Sequence, residues 1–186
     1  MMLKESLDNF TVPNYGKIIR NPATYKTVAD YCVRNLIAKV AEYHAVKNDQ
    51  QLLREIRNDI DSYVRRYHKY CIEQREGVRA HYHEVNVDDE YDFEHLIPAA
   101  RVRDLLLANV ITVQQALNAP TVRLSRSKHM QLKDAGWASI TPDMWLPFRR
   151  YSQVFDAQFT TYDGTAIDSE SWTLDKHFQY FQHLVI

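Results

Sequence analysis

Apolar residues first recur at helical spacing after Asn21-Pro22, an N-cap with proline in the first helical position. Tyr25, Ala29, Cys32, Leu36, Val40 and Tyr43 carry that spacing to about Lys47. The twenty residues before it show no pattern. Asn48-Asp49 restarts the spacing, and Leu53, Ile56, Ile60, Val64, Tyr67 and Cys71 extend it to Gly77. Two long helices joined by a short turn predict an antiparallel hairpin. From Val78 the period drops to two. His81, His83, Val85 and Val87 alternate along a predicted strand, the acidic cluster Asp88, Asp89, Glu90 and Asp92 turns the chain, and a second strand spans Tyr91 to Ile97, closed by Pro98.

Val102, Leu105 and Leu106 then mark a short helix ending near Asn109. Thr112 followed by Gln115 is a capping-box pattern that opens another, ending at Asn118-Ala119-Pro120. A strand over Thr121 to Leu124 leads into a helix through Met130 and Leu132, with Ser125 as its expected N-cap and Gly136 as its stop. Trp137, Trp145, Pro147 and Phe148 add bulk without a period. The aromatic, acidic tail from Tyr151 to Ile186 is expected to pack back through Trp172, Phe178, Tyr180 and Phe181. The order of elements predicts an α+β fold, mostly helical: a helical region over 1–80, a mixed core over 81–150, and a C-terminal segment, 151–186, packing on that core.

Composition narrows the class. At 186 residues, 45% hydrophobic and 25% charged, the chain is an ordinary globular one. Its net charge of −1 argues against a purely electrostatic polyanion coat. The charge is uneven, however. Residues 101–150 hold eight basic and three acidic side chains, a local +5 that leaves the rest of the chain at −6. Cys32 and Cys71 lie in helical patterns and read as reduced core thiols. With no signal-peptide pattern and no apolar run able to span a bilayer, the expected location is cytoplasmic, with no membrane partner. On the second helix Arg54, Arg57, Arg65, Arg66 and Lys69 alternate with acids. They read first as a solvated face with local ion pairs, and otherwise as a nucleic-acid face.

Two groupings could carry chemistry. His81 and His83 share a strand face and could pair on a metal, although neighbouring histidines in a tyrosine-rich segment are more often structural. The stronger grouping is Glu94-His95 at a strand end with His129 on a following helix. Cutting a phosphodiester requires a base for water, neutralised phosphate charge and a stabilised leaving oxygen. Histidine titrates near neutrality and can be the base, and a divalent ion can supply the other two. On a regular strand adjacent residues point to opposite faces, so both can serve one site only where the strand ends or bulges.

Phe93-Glu94-His95-Leu96-Ile97-Pro98 resembles the opening (D/E)H-I/V-I/V-P element of the HNH, or ββα-metal, endonucleases, and TVRLSRSKH (Thr121 to His129) resembles that family's second strand and helix start. The likeness covers about Tyr91 to Gly136. It implies a ββα-metal core behind the N-terminal hairpin and a metal-dependent endonuclease acting on DNA. His95 would be the general base, Glu94 and His129 would bind one divalent ion, and Asn118 would match the residue that braces the base. The chain departs from the pattern in three ways. A helical segment, Ala99 to Leu117, replaces the usual glycine-containing loop. Asn118 stands two positions early, with Pro120 in the expected place. Ser125 and Lys128 occupy the places of the paired knuckle cysteines. Lys133 stands where two-ligand helices carry a second histidine, and a carboxylate with one helix ligand favours Mg²⁺ or Mn²⁺ over Zn²⁺. Arg123 and Arg126 are the expected phosphate contacts, with Lys128 and Lys133 behind them. The N-terminal helices would support the core, touch substrate or make a homodimer. The alternative is a non-catalytic nucleic-acid-binding, inhibitor or assembly protein on the same scaffold.

Overall fold

A computed structural model describes residues 22–87 and 90–184, with side chains from Thr27 onward. Among them are seven α-helices and a four-stranded mixed sheet, an α+β fold. The residues cluster into two compact units. One comprises the described residues up to Arg75, with Ala99–Asn118, His183 and Leu184; the other comprises the described residues of Glu76–Pro98 and Ala119–Gln182. The helical insert thus groups with the N-terminal helices, not with the strands that flank it in sequence.

In the helical unit, α1 (Pro22–Ala45) and α2 (Gln50–Tyr67) pack on each other. The stripe Ala29, Cys32, Val33, Leu36, Ile37 and Val40 is buried on the first, and Ile56, Ile60 and Val64 on the second. The expected N-cap Asn21 lies outside the described residues. Asp49 caps α2, its carboxylate accepting the Leu52 N–H at 2.9 Å. Helix α2 does not run on as α-helix to Gly77: it changes to a π-helical stretch over His68–Glu73. Both cysteines are buried and outside any disulfide, and burial raises the Cys32 thiol to about 11, against a smaller lowering by Arg66. The basic face of α2 is largely engaged within this unit, Arg65 with Asp61 at 2.7 Å, Arg57 with Asp104 at 2.7 Å and Arg66 near the rings of Tyr31 and Tyr63. Helices α3 (Ala99–Leu107) and α4 (Val113–Leu117) follow, the latter opened by the Thr112–Gln115 capping box.

His68 lies where α2 turns π-helical, and its Nε2–H donates to Leu117 O at 3.0 Å, a carbonyl at the end of α4. Burial lowers this imidazole to about 4, more than its hydrogen bonds to Leu117 and Ala116 raise it. The unfolded chain protonates near 6.5. The neutral ring's stability is therefore complete above that value and is lost as pH falls toward 4. Roughly 3 kcal/mol should disappear across this window, and His68→Gln, which keeps a donor for Leu117, should remove that part of the slope. Urea unfolding at pH 7 and pH 4.5 measures it.

The second unit holds the sheet, in the order β2-β3-β1-β4. Strand β1 (Tyr82–Glu84) is shorter than expected, because Asn86 takes a left-handed φ of 60° and turns the chain away. Strands β2 (Tyr91–His95) and β3 (Thr121–Ser125) pair antiparallel from Tyr91↔Ser125 to His95↔Thr121. β1 pairs parallel with β3 and antiparallel with β4 (Phe159–Thr161). Directly after β3 comes α5 (Arg126–Asp134), then α6 (Arg149–Ser152) and α7 (Leu174–Tyr180). Gly136, at φ 77°, ends α5 in a left-handed cap, with Trp137 N–H on Leu132 O at 2.9 Å. The tail is part of this unit. β4 forms a sheet edge, Phe181 is buried, and Tyr82 Oη accepts from Trp172 Nε1 and donates to His177 Nδ1, both at 2.7 Å.

Candidate active site

The pleat of β2 sorts its side chains. Asp92 and Glu94 share one face, and Tyr91, Phe93 and His95 the other. Opposite Asp92 and Glu94 in the register stand Leu124 and Val122, both buried. Helix α5 packs on β2 and β3, and its first turns carry Arg126, Lys128 and His129. Four carboxylates, those of Glu84, Glu90, Asp92 and Glu94, meet these three basic or imidazole side chains.

His129 lies between the two β2 carboxylates. Its Nδ1 is 2.7 Å from Asp92 Oδ2 and its Nε2 is 3.5 Å from Glu94 Oε2. Arg126 approaches Asp92 Oδ1 at 3.7 Å and Glu90 at 3.5 Å. Lys128 Nζ bonds Glu84 Oε1 at 2.6 Å, while Ser125 donates its N–H and Oγ–H to Glu84 Oε2, each at 2.8 Å. Ser125 was expected to cap α5. Its hydroxyl instead goes to a carboxylate brought in by β1, and no side-chain cap is present.

Burial by itself would raise the Glu84 carboxyl. The Lys128 ammonium and the two Ser125 bonds outweigh it and hold the group below its ordinary value. Its contribution to stability is therefore present above the unfolded value, about 4.3, and is lost as pH falls through the lower folded one. Glu84→Gln should cost about 1–3 kcal/mol at pH 7. The gap between wild type and variant in urea unfolding should close on acidification through this range.

Arg150 fixes the end of β2. It is fully buried, and all five of its donors are used. Nε reaches Trp137 O at 2.9 Å; Nη1 reaches His95 O at 2.7 Å and Leu96 O at 3.2 Å; Nη2 reaches Glu94 Oε1 at 2.7 Å and Ala138 O at 2.7 Å. One guanidinium thus ties the Glu94-His95-Leu96 backbone and carboxylate to the loop after α5.

The structure brings Glu94 and His129 together and adds Asp92 and Arg150, which sequence reasoning missed. The usable signal for Asp92 was its two-residue spacing from Glu94; nothing local marked Arg150. His95 is half-buried at the last position of β2, regularly paired and without a bulge, with its ring edge-on to Phe93 at 5.6 Å. It therefore lies on the other face of the strand from Glu94. Asn118 is the buried C-cap residue of α4, in the helical unit. Arg123 stacks on the Tyr91 ring at 3.7 Å, and its buried Nε has no hydrogen-bond partner among the described residues. Lys128 is held by Glu84, whereas Arg126 and Lys133 are exposed. His81 is buried with Nδ1 against Thr121 Oγ1 at 2.8 Å, and His83 Nε2 donates to Val78 O at 2.9 Å, so both make structural bonds.

Among the described residues, no three His, Cys, Asp or Glu side chains are grouped to hold a metal ion, and no helix is long and apolar enough to cross a membrane. Comparison with protein-family models, curated proteins and solved structures finds no match.

Proposed function

We propose that this protein is a divalent-metal-dependent endonuclease of the ββα-metal kind, hydrolysing phosphodiesters in DNA. The observation that carries the reading is the 3.5 Å separation of Glu94 Oε2 and His129 Nε2, produced by an antiparallel strand pair running straight into a helix. Two ligands about 2.1 Å from one ion stand roughly 3–3.5 Å apart, so the donor pair fits. A site with two protein ligands is also in keeping with Mg²⁺ or Mn²⁺, which retain waters and take phosphate oxygens, and it needs no third side chain.

Bound there, the ion would neutralise phosphate charge and stabilise the departing oxygen. Glu94 and His129 hold it, and Arg150 keeps the Glu94 carboxylate in place. The role of taking the proton from the attacking water falls to His95 by the family likeness alone, since its ring stands at the end of β2 on the face opposite Glu94. Arg126 and Lys133 contact flanking phosphates, being the exposed members of the four basic candidates. Supercoiled plasmid incubated with Mg²⁺, Mn²⁺, Zn²⁺ or EDTA tests this. Nicking with Mg²⁺ or Mn²⁺, abolished by EDTA and in Glu94→Ala and His129→Ala, is the expected result. Absence of cleavage under every metal condition rejects it.

A second reading has its own support. Every carboxylate of the site already faces a cation or imidazole, Glu94 with Arg150, Asp92 and Glu90 with Arg126, and Glu84 with Lys128. A scaffold that neutralises its own carboxylates suits a non-catalytic nucleic-acid-binding or assembly protein. DNA retention without cleavage, unaffected by EDTA, would favour it.

A further inference from the structure

Building on the metal reading above, we infer that Asp92 is a positioning residue for the ion, acting through His129. A neutral imidazole has one donor nitrogen and one acceptor nitrogen. Asp92 Oδ2, an acceptor, is 2.7 Å from Nδ1, so the ring hydrogen belongs on Nδ1. That turns the Nε2 lone pair toward Glu94 Oε2. Their separation of 3.5 Å exceeds the usual hydrogen-bond range. Two electron-rich atoms facing each other across such a gap are suited to a shared cation.

Asp92 itself lies on the Nδ1 side of the ring, away from the nitrogen that faces Glu94, so its role is to orient and not to ligate. Arg126, 3.7 Å from the other oxygen of Asp92, helps keep the carboxylate turned toward the imidazole. A carboxylate on the second nitrogen of a metal-binding histidine fixes the tautomer and raises the ligand's basicity, and its loss typically weakens metal binding about 10- to 100-fold. The two-residue spacing that placed Asp92 beside Glu94 on β2 thus gives each nitrogen of His129 its own carboxylate.

Mn²⁺ titration of the full chain, followed by electron paramagnetic resonance, tests the inference without reference to cleavage. Wild type should bind one ion. Asp92→Ala should bind it about 10- to 100-fold more weakly, and Asp92→Asn, which keeps an accepting oxygen but loses the charge, should fall between. In metal-free protein, ¹⁵N spectra of the neutral His129 ring should place its hydrogen on Nδ1, and the alanine variant should shift toward the Nε2–H form. Wild-type affinity in Asp92→Ala (or in Asp92→Asn, should alanine not fold) overturns the inference, as does a neutral His129 ring that carries its hydrogen on Nε2. Failure of the wild type itself to bind Mn²⁺ removes the metal reading and this inference together, an outcome distinct from unchanged affinity in the variants.

Discussion

Arg150→Ala is expected to destabilise the sheet unit by about 3–5 kcal/mol, the cost of breaking a buried ion pair by removing one partner. The substitution would remove the guanidinium donors from the carbonyls of His95, Leu96, Trp137 and Ala138. It would also leave Glu94, only 14% exposed, without its cation. Stability of a whole domain is commonly about 5–15 kcal/mol, so urea unfolding at pH 7 should show a large leftward shift. Arg150→Lys should recover only part of it, because an ammonium has three donors where five are used. A shift below about 1 kcal/mol in the alanine variant would mean that other contacts hold the β2 end.

His95→Ala is expected to lower the rate of metal-dependent plasmid nicking by about 10²- to 10⁴-fold, the usual contribution of a general base, with little change in stability. The reason for separating the two effects is geometric. Arg150 grips the His95 carbonyl and not its ring, so alanine keeps the clamp while removing the imidazole. The ring also lies on the opposite face of β2 from Glu94, which makes this the sharpest test of the assigned base. Single-turnover nicking with Mg²⁺ at saturating protein measures it. An unchanged rate would assign the base to another group while leaving the Glu94–His129 pair standing.

Much of the fold could be read in advance where a single periodicity dominates. The stripe of Ile56, Ile60 and Val64, the Thr112–Gln115 capping box and the Gly136 stop are local features, and each is set by residues within a few turns of one another. The two strands at Tyr91 and Thr121 were legible for the same reason. What was not legible depends on partners far along the chain. Ser125 follows the local capping rule, yet Glu84 recruits its hydroxyl from a separate strand. Arg150 sits in a stretch without a period, and an Arg-Arg pair reads as surface until the carbonyls converging on it are known. Asp92 was hidden inside an acidic cluster whose turn character masked the alternation with Glu94. The grouping of α3 and α4 with the first two helices is likewise a tertiary outcome with no local sign.

The most direct test is anomalous diffraction at the manganese edge from crystals of the full chain grown with Mn²⁺. One peak within bonding distance of both Glu94 Oε2 and His129 Nε2 is the expected result. Well-ordered density for both side chains with no peak between them, or manganese bound only elsewhere, would contradict it.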